Sequence, residues 1–332
     1  MIPSKLQDYL SALIEAQIKL SVMIWGAPGI GKSSIVESCC KQSDLRFIDL
    51  RLSQLAPTDL RGLPVPKDQQ STWLPPEFLP QDGSGILFLD EINMAPPAMQ
   101  GVAQQLILDR KVGNYRLPDG WFVWAAGNRK EDRSAVFDMP SPLANRFIHL
   151  HVEASIDDFR SYAFANEFSD QLIAFVAFRQ DLLHKLNESE NAWPSPRSWE
   201  MANVLFAAGL DIAPAVGIGP ASEFYAFMEI LDKTPDLDQV IKGNTRIEFP
   251  GEPSLRYASI MGLVGRAKKT EDVVNSFNWL VERAPAEWVQ LYATDLFPLL
   301  RGRGELAPVH AALMEQPNLK AFLMEFTRLM SE

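Results

Sequence analysis

The sequence predicts a three-layer α/β domain built on a parallel sheet, followed by an all-helical region. Up to about residue 152, short apolar runs alternate with helical segments, which is typical of a parallel sheet covered on both faces. A glycine-rich loop that begins at Gly26 joins the first apolar run to the first long helix. After Glu153 the strand-like runs stop and helical periodicity continues.

The elements of the first domain follow in chain order. Apolar residues at helical spacing predict an amphipathic helix over residues 4–19. Apolar runs predict strands at 22–25, 46–50, 86–89, 121–126 and 148–152. Helices are expected at 32–41 and 96–110, and a hairpin at 111–120. Residues 55–83 are rich in proline and glycine and are predicted to form a long functional loop.

The rest of the chain is predicted to be mainly helical. Helices are expected within 156–186, 197–209, 270–283, 286–300 and 317–330. Residues 242–253 are poor helix candidates and are expected to form a loop or a small hairpin. We therefore expect three parts, because a chain of 332 residues is too long for one typical core. They are an α/β domain at 1–152, a helical domain at 153–269 and a helical extension at 270–332.

Residues 26–33 fit the phosphate-loop pattern G-x-x-x-x-G-K-[ST] at every fixed position. The predicted strand before the loop and the helix after it supply the setting in which backbone N–H groups cradle a polyphosphate. Lys32 is expected to reach the β- and γ-phosphates, and Ser33 to bind Mg²⁺. A glycine-rich turn that matches by chance is the alternative. The predicted nucleotide-binding residues are Gly26, Ala27, Pro28, Gly29, Ile30, Gly31, Lys32, Ser33, Ser34 and Asp90.

Polar residues end two of the predicted strands. Asp90 and Glu91 follow the run 86–89; Asp90 is expected to complete the Mg²⁺ site with Ser33. Glu91 is expected to polarise the attacking water as a general base. Helix capping by both acids is the alternative. Asn128 follows the fourth strand and is predicted to orient that water, unless it is a simple turn residue.

Composition limits the classes of partner. The formal net charge of −11 makes the chain a poor general binder of nucleic acid. Its only cysteines, Cys39 and Cys40, are adjacent and cannot form a disulfide framework, which favours a reducing compartment. No stretch is long and apolar enough to span a membrane, so a cytoplasmic location is expected. His149 and His151 alternate on a strand, and a place at the core edge is favoured over a metal pair.

Four further stretches resemble one family. They are Trp-Leu-Pro-Pro-Glu-Phe at 73–78, Leu-Phe-Leu-Asp-Glu-Ile-Asn at 87–93, Ala-Ala-Gly-Asn-Arg at 125–129 and Ser-Pro-Leu-Ala-Asn-Arg-Phe at 141–147. Together they are similar to the MoxR group of AAA+ ATPases, which includes the CbbQ- and NorQ-type activases and RavA. The similarity covers about residues 20–210.

The resemblance implies a role for each matching residue. Lys32 and Ser33 match the Walker A loop, and Asp90 and Glu91 match Walker B. Asn128 matches the sensor-1 position of the family. Arg146 matches the arginine finger that enters the site of the neighbouring subunit, and Arg197 matches the sensor-2 arginine of the helical lid.

The resemblance also implies an architecture and a function. It implies an AAA+ domain followed by a helical lid, assembled into a hexameric ring that hydrolyses ATP with Mg²⁺. Residues 55–83 and 111–120 match inserts that contact the protein substrate in this group. The implied function is the remodelling or activation of a protein partner, often one with a von Willebrand A domain.

Two alternatives stay open. Residues 128–134 are also similar to the GTP-hydrolysing McrB branch, which would make the chain a motor subunit of a nucleic-acid restriction or defence system. That similarity leaves open whether the nucleotide is ATP or GTP. It also makes Arg133 a second candidate for a trans-acting arginine. The family's Asp-Glu-Ile-Asn-Arg ends here in Met94. A kinase with the same loop is disfavoured, because it would need neither Arg146 nor the inserts.

Overall fold

The computed structural model describes residues 1–67, 70–132, 136–187, 190–231, 233–302 and 304–329. The chain divides into two units, Met1–Ser155 and Ile156–Glu332. The predicted three-part division at residues 152 and 269 stays a prediction.

The first unit is built on a five-stranded sheet whose paired strands all run parallel. The strands of the unit are β1 Val22–Trp25, β2 Arg46–Arg51, β3 Leu63–Lys67, β4 Gln70–Leu74, β5 Gly85–Asp90, β6 Lys111–Val112, β7 Tyr115–Arg116, β8 Trp121–Gly127 and β9 Ile148–His151. The sheet order is β2-β5-β8-β1-β9, so β1 lies between β8 and the edge strand β9. The three-layer parallel α/β fold predicted from the sequence is confirmed.

Helices cover both faces of this sheet. They are α1 Pro3–Glu15, α2 Lys32–Gln42, α3 Pro57–Arg61, α4 Pro97–Asp109 and α5 Ser141–Ala144. On one face the apolar side of α1 packs with α2 against β1, β5 and β8. On the other face α4 buries Met99, Val102 and Leu106. Because both faces are covered, β5 and β8 are apolar along their length instead of alternating.

The prediction of a structureless loop over residues 55–83 is wrong in part. The segment contains α3 and the antiparallel hairpin of β3 and β4, in which Leu63 pairs with Leu74. Both leucines are exposed. Trp73 of this hairpin lies against Gly113 of the second, predicted hairpin formed by β6 and β7.

The second unit is helical in its described residues. Its helices are α6 Ile156–Ala165, α7 Asp170–Phe178, α8 Pro196–Ala207, α9 Ala213–Val216, α10 Ile218–Leu231, α11 Leu237–Ile241, α12 Pro253–Arg266, α13 Thr270–Arg283, α14 Ala286–Gly302, α15 Leu306–Met314 and α16 Pro317–Leu329. The predicted helical stretch 156–186 is broken, because Ser169 caps a new helix, α7, with its side chain. Residues 242–252 form a loop, as expected.

Across the described residues, no helix is both long enough and apolar enough to cross a lipid bilayer.

Candidate nucleotide-binding site

The phosphate loop lies at the carboxyl end of β1, where the sheet also presents the ends of β5 and β8. Gly29 and Gly31 have φ of 81° and 91°, a left-handed conformation that a residue with a Cβ rarely adopts. Gly31 is the N-cap of α2, so the helix begins directly at Lys32. A Cβ at Gly26 would lie 2.9 Å from the carbonyl oxygen of Val152. The glycines therefore permit both the turn and the close approach of the chain.

Lys32 is buried and donates three hydrogen bonds. Its Nζ lies 2.8 Å from the carbonyl oxygen of Gly26, 3.1 Å from that of Ala27 and 3.0 Å from Oδ1 of Asn128. The ammonium group thus contacts the predicted loop and the predicted sensor residue at once. A phosphate group is the natural ligand of such a lysine in a loop of backbone N–H groups.

Ser33 and Asp90 are also brought together. The Ser33 hydroxyl donates to Oδ2 of Asp90 over 2.8 Å. A hydroxyl and a carboxylate are the hard oxygen ligands that Mg²⁺ prefers, with phosphate and water completing its shell. This donor set fits the predicted metal site.

The charge around this pair also favours a cation. Burial raises the pKa of the Asp49 carboxyl on β2; the negative charges of Asp90 and Glu91 raise it further, and the positive charge of Arg51 lowers it. The carboxylates of Asp90 and Glu91 thus lie close enough to Asp49 for their charges to interact, and a divalent cation beside Asp90 would offset part of this repulsion.

Glu91 lies in a left-handed conformation, with φ of 55°, at the start of the short helix 92–94. Its Oε2 accepts a hydrogen bond from the Ser53 hydroxyl, and its N–H donates to Oδ1 of Asp90 over 2.8 Å. Its side chain makes no capping hydrogen bond to this helix, unlike the alternative considered from sequence. Ser53 follows β2 and was not singled out by the sequence, which has no motif around it.

Asn128 is fixed by a second asparagine. Asn93, which is 2% exposed, donates from Nδ2 to the carbonyl oxygen of Asn128 over 2.8 Å. Its Oδ1 accepts from the Asn128 N–H over 3.2 Å. The sequence did not predict these contacts of Asn93, because its burial is known only from the fold; a buried amide needs hydrogen-bond partners.

Both predicted arginines are exposed, each in its own unit of the chain. Arg146 is exposed between α5 and the edge strand β9. Arg197 is exposed in the second unit, in the first turn of α8. Arg129 is engaged by Asp132 through two guanidinium hydrogen bonds of 3.0 Å. Arg133, the second candidate, falls outside the described residues.

Residues 21–147 match the family model described as "AAA domain (dynein-related subfamily)". This part of the first unit is similar to the AAA domains of that family. The match spans the phosphate loop, Asp90, Glu91 and Asn128, and it ends at Phe147, directly after Arg146. ATP with Mg²⁺ is the ligand pair of such domains.

Relatives of the AAA+ domain were found among known proteins. The chain is 23% identical over 159 residues to midasin of Giardia intestinalis; the match covers 45% of this chain and 3% of midasin. The chain thus spans only a small fraction of that relative.

The chain was also compared with solved structures. A mutant of RuvB from Thermotoga maritima matches with 17% identity and a TM-score of 0.45, over 73% of this chain and 75% of that chain. NtrX from Brucella abortus in complex with ADP matches with 17% identity and a TM-score of 0.42, over 91% of this chain and 68% of that chain.

Proposed function

We propose that this chain is a Mg²⁺-dependent ATPase of the MoxR type, which assembles into a ring and remodels or activates a protein partner. The observation that carries the proposal is the meeting of Lys32 with Asn128 and of Ser33 with Asp90 at one sheet edge. Each pair joins residues far apart in sequence, and each pair joins groups that phosphoryl transfer requires.

The residues divide the work of hydrolysis between them. Lys32 and the loop N–H groups bind the phosphates, and Ser33 with Asp90 holds the metal. Mg²⁺, when bound, offsets the charge of the β- and γ-phosphate oxygens. Glu91 takes the proton of the attacking water, and Asn128 orients that water. Ser53 donates to Oε2 of Glu91, and because a carboxylate accepts at both of its oxygens, this contact is compatible with a water bound at Oε1.

Arg146 completes the site of a neighbouring subunit. It is exposed beside the edge strand β9, and AAA+ proteins generally oligomerise. The planar guanidinium can bind γ-phosphate oxygens in a bidentate manner. A hexameric ring, in which Arg197 of the helical lid serves as the sensor-2 residue, is the assembly that the MoxR resemblance implies.

The hairpins of the first unit are the proposed contact with the partner. Residues 63–74 expose Leu63 at 65% and Leu74 at 52%, side by side across the hairpin. Neither leucine is needed for nucleotide chemistry. The resemblance favours a partner with a von Willebrand A domain.

Mixed assemblies test whether the site is shared between subunits. Glu91→Gln subunits lack a base but offer Arg146, whereas Arg146→Ala subunits have a base and offer no arginine. Because a trans arginine is typically worth about 10³–10⁵ in turnover, the mixture should hydrolyse ATP faster than the sum of the two separate variants. If the subunits mix and no turnover returns, the proposed shared site is wrong.

A separate experiment tests the partner. Glu91→Gln should retain a purified von Willebrand A protein in the presence of ATP, and deletion of residues 66–72 should weaken that retention. The double variant Leu63→Ser and Leu74→Ser is a second test, because it removes only the exposed apolar pair, and it should also weaken the retention. Retention that is unchanged in both variants would limit the hairpin to a structural role.

A further inference from the structure

Trp25, the last residue of β1, lies between two histidines of the edge strand. Its ring plane lies 11° from that of His149, with centroids 6.1 Å apart, and 19° from that of His151, with centroids 6.4 Å apart. In the sheet register Met23 pairs with His149 and Trp25 with His151, so the three rings lie on one face. An edge strand with two exposed histidines is thereby joined to the strand that carries the phosphate loop.

Hydrogen bonds fix the His149 ring from both sides. The indole Nε1 of Trp25 lies 2.8 Å from Nδ1 of His149, and His149 Nε2 lies 2.8 Å from the carbonyl oxygen of Ala144. An indole N–H can only donate, so Nδ1 must be the acceptor. A carbonyl can only accept, so Nε2 must carry the proton. Both contacts are satisfied by one neutral tautomer of His149.

The two ends of this arrangement are functional segments. Trp25 is bonded directly to Gly26, whose carbonyl oxygen accepts from Lys32 Nζ over 2.8 Å. Ala144 ends α5 two residues before Arg146, and its carbonyl oxygen also accepts from the Phe147 N–H over 3.2 Å. The path from the phosphate-binding lysine to the segment of Arg146 therefore passes through one indole and one imidazole.

We propose that Trp25 and His149 are positioning residues, which hold the Arg146 segment in register with the phosphate loop of the same subunit. This inference rests on the proposed trans role of Arg146. A shift of the loop when nucleotide binds moves Trp25, and the two hydrogen bonds carry that shift to the turn before Arg146. Whether nucleotide is bound in one subunit thus determines the position in which that subunit's Arg146 enters the site of the next subunit.

The mixed assembly separates this role from a structural one. His149→Ala is placed either in the Glu91→Gln subunit, which donates the arginine, or in the Arg146→Ala subunit, which hydrolyses ATP. We expect the regained turnover to fall by about tenfold or more when the donor carries His149→Ala, since misplacement by about 1 Å can cost about 10²-fold. In the hydrolysing subunit the same substitution should leave the turnover within about twofold, because that subunit's own Arg146 is already absent.

Conservative variants distinguish the loss of a hydrogen bond from misfolding caused by His149→Ala. Trp25→Phe in the donor keeps an aromatic ring and removes the N–H, so it should lower the regained turnover. His149→Asn can place Oδ1 near the position of Nδ1 and accept from Trp25, but it cannot reach the Ala144 carbonyl oxygen, so it should lower the regained turnover about as much as His149→Ala. His151→Phe is the control, because His151 lies beside the same indole without joining the path, and it should have no effect.

The outcomes are distinct. Equal losses from donor and hydrolysing subunits, or no loss from either, would overturn the positioning role while leaving the shared site intact. If the parent mixture regains no turnover, the shared site fails and this inference fails with it.

Discussion

Lys32 is the residue on which nucleotide affinity is expected to depend most. Because its ammonium group faces the position expected for the phosphates, Lys32→Ala should remove most of the affinity for a fluorescent ATP analogue. Lys41→Ala, on the same helix, removes an exposed lysine whose partner is Glu37 at 2.7 Å, and should leave the affinity unchanged. Unchanged affinity in Lys32→Ala would exclude this loop as the nucleotide site.

Glu91 should matter for turnover and not for binding. Glu91→Gln keeps the shape of the side chain and loses the base, so ATP should bind normally while turnover falls by about 10²–10⁴-fold. Steady-state phosphate release measures the loss, and Glu37→Gln on the exposed side of α2 is the control. Turnover close to that of the parent would assign the base to another residue.

At the residue scale, the sequence predicts those contacts that a motif encodes. Ser33 and Asp90 meet as expected, because a loop after one parallel strand and an acid after another reach the same edge of a sheet. Ser53 and Asn93 were missed as partners of Glu91 and Asn128. Their contacts depend on how segments distant in the sequence pack, and no local pattern records that. The catalytic roles themselves stay predictions.

Helix α8, which carries Arg197, depends on a capping box at its start. The Ser195 hydroxyl accepts from the Ser198 N–H over 3.1 Å, and the Ser198 hydroxyl accepts from the Ser195 N–H over 2.7 Å. Ser195 is buried, so water cannot replace the lost bond. Ser195→Ala should therefore lower the free energy of unfolding by about 0.5–2 kcal/mol.

Urea unfolding measures this loss. The control is Ser161→Ala in α6, where an exposed hydroxyl donates to the Asp157 carbonyl oxygen within the helix. Removing such a mid-helix hydroxyl should change the free energy of unfolding by less than about 0.5 kcal/mol. Equal stability of Ser195→Ala and the parent would show that the cap adds nothing.

At the element scale, the sequence predicts apolar strands well and proline-rich ones poorly. β3 contains Pro64 and Pro66, which argue against a strand when only the local pattern is considered. The hairpin tolerates both prolines because it has only two strands, so each strand has one side without a neighbouring strand, where a missing N–H costs no hydrogen bond. Helix α12 was missed for a related reason, since Gly262 and Gly265 lower helix propensity. In the fold Gly265 lets Asp170 of α7 lie close against α12.

At the scale of the whole molecule, the net charge of −11 opposes binding to nucleic acid. The chain should bind double-stranded DNA weakly at about 0.15 M salt. A fluorescence anisotropy titration over a series of salt concentrations measures this. Tight binding that weakens steeply with salt would favour the restriction-motor alternative over the protein-remodelling function.

The position of β1 in the sheet has a consequence for how the protein folds. Val22 pairs with Trp124 on one side and with Ile148 on the other, so β1 finds both neighbours about 100 residues or more later in the chain. At a synthesis rate of about 5–20 residues per second, β1 waits roughly 5–20 s on the ribosome before its first partner has been made. During this interval an apolar strand stays unpaired, which is a condition for aggregation. The nucleotide site is therefore among the last parts of its domain to form, and ATP cannot assist the early steps of folding.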